Sequence, residues 1–217
     1  MSWLPTASGR IVDLRQPWAL DLDFARDIAL PLGRLCRFAG QLRPDVPHYS
    51  VAEHSARGAH EIWVATGDAR LALAFLLHDA HEAFVGDIIS PVKSALVALA
   101  GDGLGHYGRE TVREAFHRLT DGLDRRIAAL AGIPCWLDDA EAAAAVHAMD
   151  IRMLRTERDQ LLAPQSRAWL PEVEQAAPLD IEISPWPGPE AGRIWLSEFD
   201  RYRKSLGLAP LTRSPLP

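Results

Sequence analysis

Between Asp23 and Leu162 apolar residues recur every three or four positions, the spacing of helices that bury one face. The first predicted helix is FARDIALPLGRLCRFAG, Phe24 to Gly40, with Pro31 as a kink or late start and Gly40 as its stop. The second runs from Ser50 to Thr66. Ser50 opens it as N-cap and Glu53 follows three residues on, a capping box. The third, DARLALAFLLHDAHEAFV, is capped by Asp68 and stopped by Gly86. After a loop around Ser90-Pro91, a long amphipathic helix is expected over Tyr107 to Ala131, and another from near Asp138 to Leu162. Strand signals are weak: IVDLR near the start could pair with LDIEIS near the end. Nine of the sixteen prolines follow residue 160, so the tail reads as loop-rich. Its one helix is EAGRIWLSEFDRYRKSL, where Trp195 and Phe199 at i and i+4 predict docking on the bundle. The pattern predicts an all-α bundle: one domain over residues 1–217, a core at about 24–162, and a Pro-rich C-terminal extension at about 163–217 carrying one docking helix.

Composition narrows the functions open to such a bundle. An apolar share of 48% supports a sizeable core. A net charge of −6 argues against a broad footprint on duplex nucleic acid, although one local cluster could still bind a small anion. No apolar run reaches the length of a membrane span. The first ten residues, MSWLPTASGR, lack the basic-then-apolar pattern of a signal peptide, so a cytoplasmic location is expected. Cys36 and Cys135 sit in apolar contexts without C-x-x-C spacing and read as reduced, buried thiols.

One stretch breaks the pattern. The apolar run LALAFLL ends in His78, Asp79, His81, Glu82 and Asp87, all within ten residues. Charged side chains are seldom buried unless paired or bound to a metal. On a continuous helix His78, Asp79 and Glu82 share a face, with His81 turned aside. A solvated helix end would explain them. So would a metal site with an acid or base beside it. His54, on the preceding helix near Val51 and Gly58, and Asp150, set among Met149, Ile151 and Met153, favour the second reading. His54, His78, Asp79 and Asp150 form a His₂Asp₂ set from three helices, suited to one borderline or hard divalent ion with open positions for water. Manganese, cobalt, magnesium, zinc and iron all fit. Of the remaining histidines, His147 lies three residues before Asp150 and could support it from behind. Arg152, Arg155 and Arg158 read as solvated or salt-bridged, and the seven tryptophans as packing residues.

The H…HD…D arrangement resembles the HD-domain metal-dependent phosphohydrolases. CRFAG, YSVAEHS, HDAHEAFVGDIISPVK and MDIRMLRTERDQL look like blocks of the bacterial 5′-deoxynucleotidase branch. The resemblance covers about Ile28 to Leu162, and SPWPGPEA…FDRY looks like the tail of one sub-branch. It implies that His54, His78, Asp79 and Asp150 hold the metal, with Asp79 and Asp150 also near substrate. Glu82 would be needed for hydrolysis, and Asp87 would position substrate and water. Arg37 would orient the phosphate, Phe38 would lie near the nucleoside, Ser90 would line the sugar side, and Lys93 would be a second phosphate contact. The implied activity is removal of the 5′-phosphate from deoxynucleoside monophosphates, the implied partner is the nucleotide itself, and the implied assembly is a homodimer. Other members of the superfamily keep three further readings open: a dNTP triphosphohydrolase, a di-iron oxygenase drawing on His106 and His117, and a non-catalytic binding or signalling module.

Overall fold

The computed structural model describes residues 1–211; the last six residues of the expected C-terminal extension lie outside them. The chain opens with a short antiparallel hairpin of β1 (Trp3–Pro5) and β2 (Ile11–Asp13), Leu4 opposite Val12. This is the one sheet among the described residues, so the expected pairing of IVDLR with LDIEIS does not form. LDIEIS instead runs beside a helix whose side chains stand in for a strand. Thr156 Oγ1 accepts from Leu179 N and Gln160 Oε1 from Ile183 N, while Gln160 Nε2 donates to Ile181 O, each at 2.8 Å. Those contacts meet the backbone's hydrogen-bonding demand without a ladder.

The first predicted helix forms only in part. Asp23 caps a π-helical turn over Phe24–Ala29, which runs into α1 (Leu30–Arg34) with Pro31 in its first turn, where a missing N–H costs nothing. The helix stops six residues before Gly40. Arg37 N bonds Tyr49 O at 2.8 Å and Val51 N bonds Leu35 O at 3.0 Å, which draws the chain off the helix axis. Phe38 and Ala39 then take left-handed backbone, φ 57° and 51°, a conformation unfavourable for residues with a Cβ.

Helix α2 (Val51–Thr66) carries the expected cap, Ser50 Oγ accepting from Glu53 N at 3.1 Å, and ends at left-handed Gly67. Helix α3 (Ala69–Leu77) starts at Asp68, whose carboxylate accepts from Arg70 N and Leu71 N. The expected continuous helix to Val85 is broken: His78–His81 form a turn before the short α4 (Glu82–Val85). Helix α5 (Ser90–Ala131) is longer than predicted. Pro91 sits in its first turn rather than in a loop, and Gly105 breaks its axis. Helix α6 (Ala140–Leu161) is capped by Asp139, and α7 (Pro171–Gln175) is a short turn in the tail. Helix α8 (Gly188–Ser205) docks as expected, Trp195 and Phe199 being fully buried. Trp195 donates to Leu76 O at 3.1 Å, and Phe199 stacks on Phe24 with ring centroids 4.6 Å apart. The result is a mostly helical bundle whose core lies between α2, α3 and α8. Among the described residues no single helix is long and apolar enough to cross a membrane. Cys135 is buried and Cys36 half-buried, both as free thiols.

Candidate metal centre

Three elements far apart in sequence converge on one point. His54 comes from the second turn of α2, His78 caps the C-terminus of α3, and Asp150 lies midway along α6. One ligand atom from each falls within 4.8 Å of the other two. Asp150 Oδ1 is 3.3 Å from His54 Nε2 and 3.8 Å from His78 Nε2. Asp79 stands beside this triad, its Oδ2 at 3.7 Å from His54 Nε2 and 3.3 Å from His78 Nε2.

The hydrogen bonds behind the imidazoles decide what the front can do. His78 Nδ1 lies 2.6 Å from Phe75 O, which can only accept, so that nitrogen carries the hydrogen. His54 Nδ1 donates likewise to Glu157 Oε1 at 2.6 Å. In a neutral ring each Nε2 is then a bare lone pair, and both are buried without a hydrogen-bond partner. They face Asp79 and Asp150, which are acceptors too. Lone pairs turned on lone pairs repel unless a cation lies among them or a ring takes a second proton. A back-bonded imidazole with a free Nε2 is also how a histidine is held for a metal. Without a cation the proton is the remaining answer: burial and Arg37 oppose charge on His54, yet Glu157 and Asp150 lift its pKa to about 9. The set fits a divalent ion.

Glu157 was not among the predicted site residues. It is fully buried and also accepts from the Tyr49 hydroxyl at 2.8 Å. Its second oxygen lies 3.3 Å from Arg37 Nε. A signal was present in the sequence: Glu157 is seven residues after Asp150, two helical turns on and so on the same face of α6. Arg37 in turn reaches Asp79 Oδ2 at 3.3 Å. It is nearly buried, and although burial opposes its charge, Glu157, Asp79, Asp150 and Glu82 outweigh that effect. Thus the guanidinium expected to meet a phosphate is already braced between two carboxylates.

A cavity of about 580 Å³ opens beside the triad. Arg37, Phe38, Asp79, Glu82, Asp87, Ser90, Lys93 and Asp150 all line it, so the structure gathers every one of the predicted substrate and catalytic positions around one space. Glu82 is buried with Oε2 unpartnered. Burial first, then the charges of Asp79 and Asp87, push its pKa well up. Burial also raises Asp87, against the pull of Arg37. Leu154, Leu162, Trp169, Leu170 and Val173 line the same cavity, and none of them was predicted at the site.

Other histidines go elsewhere. His81 pairs with Asp124 at 2.8 Å. His147 is exposed and 3.4 Å from Glu172, so it does not support Asp150. His106 is 87% exposed. His117 lines a smaller cavity of about 230 Å³ together with Lys93 and Arg113. Neither His106 nor His117 joins the converging group, and the extra ligands of a di-iron centre are not assembled among the described residues.

No protein-family model matches the chain. An uncharacterized protein of Rhodobacter capsulatus is 35% identical over 163 residues, which span 74% of this chain and 73% of that one. At that identity and coverage, the chain belongs to the same family as the Rhodobacter capsulatus protein.

Proposed function

We propose that this protein is an HD-domain phosphohydrolase that uses one divalent ion to remove the 5′-phosphate from deoxynucleoside monophosphates. The observation that carries the reading is the pair of back-bonded, front-unpartnered histidines facing Asp150 and Asp79 at the edge of a cavity lined by Glu82, Arg37, Asp87 and Lys93. A divalent ion there would offset the charge of a phosphomonoester and make a water more acidic. The chain's own residues supply the rest. Arg37 and Lys93 balance phosphate charge, and Arg37, braced by Glu157 and Asp79, needs no reordering to do so. In the reaction a water oxygen bonds to phosphorus, the bond from phosphorus to the 5′ oxygen breaks, and that oxygen gains a proton. Glu82 and Asp87 border the cavity as the acids that move protons between attacking water and leaving oxygen.

A second reading, hydrolysis of dNTPs, draws support from the smaller cavity. Arg113 and His117 join Lys93 there, in a space that Asp79 and Glu82 also line, and would suit further phosphates. Metal-stripped protein reloaded separately with manganese, cobalt, magnesium, zinc and iron separates the two when assayed on nucleoside mono- and triphosphates for phosphate and triphosphate release. Phosphate from monophosphates is the expected product. Glu82→Ala should keep the bound metal and lose turnover by ~10²–10⁴-fold, the usual worth of a positioned acid or base. Near-wild-type turnover in that variant, or no hydrolysis by any loaded form, would overturn the proposal.

A further inference from the structure

The cavity is not charged throughout. Helix α6 runs along it, from Asp150 at the metal to Leu154 one turn on and Leu162 just past the helix end. Beyond Asp79, Glu82 and Asp150 the lining turns apolar, with Leu154, Leu162, Trp169, Leu170 and Val173. Leu170 is 60% exposed, unusual for a leucine on a concave wall. The volume lies in the range of pockets that enclose a nucleotide-sized ligand.

Trp169, Leu170 and Val173 come from the Pro-rich extension, yet that segment is tied down. Arg152 donates to Ala177 O at 3.2 Å, Arg155 to Glu174 O at 2.8 Å, and Arg158 to Glu174 Oε1 at 2.8 Å. The same Glu174 oxygen accepts from Trp169 N at 2.7 Å. The Arg158 guanidinium also lies 5.7 Å from the Trp169 ring centre, within cation–π range. Three arginines spaced three apart on α6 therefore fix the loop that carries Trp169. Arg158 is eight residues beyond Asp150, ~12 Å along the helix, and the Trp169 it meets lines the same cavity as Asp150.

We infer that Trp169 and Leu170 form a stacking wall for the nucleobase, while the metal end holds the phosphate. The inference rests on the nucleotide reading above and assigns the base-facing role to the tail segment. An indole face is sequence-tolerant toward bases, because every base presents a π-face. One helix, α6, then supplies a metal ligand at Asp150 and the anchor of the base wall at Arg158, which sets the distance between the two ends of the substrate.

The test compares a deoxynucleoside 5′-monophosphate with 2-deoxyribose 5-phosphate, which has the same phosphate and no base. For Trp169→Ala the ratio of kcat/KM between the two should fall by roughly tenfold, within the range measured for lost base stacking. Trp169→Phe should restore most of that ratio. A ratio that stays within about twofold of wild type under the alanine change overturns the inference, since a misplaced loop would slow both substrates alike while lost stacking slows only one. If neither compound is hydrolysed by wild-type protein, the phosphohydrolase reading fails separately, and the wall is judged by binding. Titration with deoxynucleosides should then quench fluorescence in wild type but not in Trp169→Phe. Equal response in the two proteins overturns the wall.

Discussion

Glu157 holds three partners at once: the His54 imidazole, the Tyr49 hydroxyl and the Arg37 guanidinium. A fully buried carboxylate is costly unless it is paired; here Arg37 offsets the charge at Oε2 while Oε1 fixes the tautomer of the His54 imidazole. Glu157→Gln keeps the size and removes the charge. It should weaken divalent-metal binding by about 10–100-fold, the usual cost of losing such a support, with little loss of helical content. Calorimetric titration of the stripped protein with zinc or manganese, beside circular dichroism, reads both quantities. Unchanged affinity would make Glu157 a packing residue only. His54, His78 and Asp150 were legible in the sequence because each is a polar side chain in an apolar helix with no local reason to be there. Glu157 was not, because Arg155, Arg158, Asp159 and Gln160 surround it and give that stretch the look of a solvated helix end. Trp169 was hidden for a different reason. Its proposed role depends on where an irregular tail is pinned, and the salt-bridged arginines expected on α6, of which Arg155 and Arg158 meet Glu174, do not reveal from sequence which loop they hold.

Elements were legible where their signals are local and lost where tertiary contacts compete. Ser50 and Asp68 mark helix starts that form as predicted. The break at His78–His81 was invisible, because helical periodicity continues through it while the turn aims His78 at the triad. The seam between α1 and α8 makes a similar point. A Cβ on Gly33 would lie 2.4 Å from Gly188 O, one on Gly188 2.3 Å from Gly33 O, and one on Gly192 2.7 Å from Ala29 O. The obstacles are backbone oxygens, which cannot rotate away. Helix propensity alone says that Gly192→Ala should stabilise α8 by ~1 kcal/mol. Overpacking against a fixed carbonyl costs ~1–3 kcal/mol and should prevail. We expect a net loss of a few degrees in Tm for this variant, at ~2–4 °C per kcal/mol for a chain of this size. A rise in Tm would show that the two helices separate easily.

At the scale of the whole molecule, the centre joins parts of the chain that the core packs less directly. His54, His78 and Asp150 lie 24 and 72 residues apart, so an ion shared among them closes two long loops and ties α6 to the α2–α3 pair. It would also offset part of the negative charge of Asp79, Glu82, Asp87, Asp150 and Glu157, which gather near Arg37 and Lys93. In its absence a proton on His54 meets part of the need, so the stripped protein should stay folded and be less stable. The ligands are not assembled in the unfolded chain, so binding free energy adds to folding free energy. At a free-ion concentration of 100 times Kd the gain is ~2.7 kcal/mol, or roughly 5–11 °C in Tm. A melt of stripped protein titrated with manganese or zinc should show that rise, and a chelator should reverse it. Asp150→Ala removes one converging ligand and should abolish most of the shift while the metal-free melt moves far less. If the variant shifts as much as wild type, the ion stabilises from somewhere else, and the convergence of α2, α3 and α6 on one point does not hold a metal.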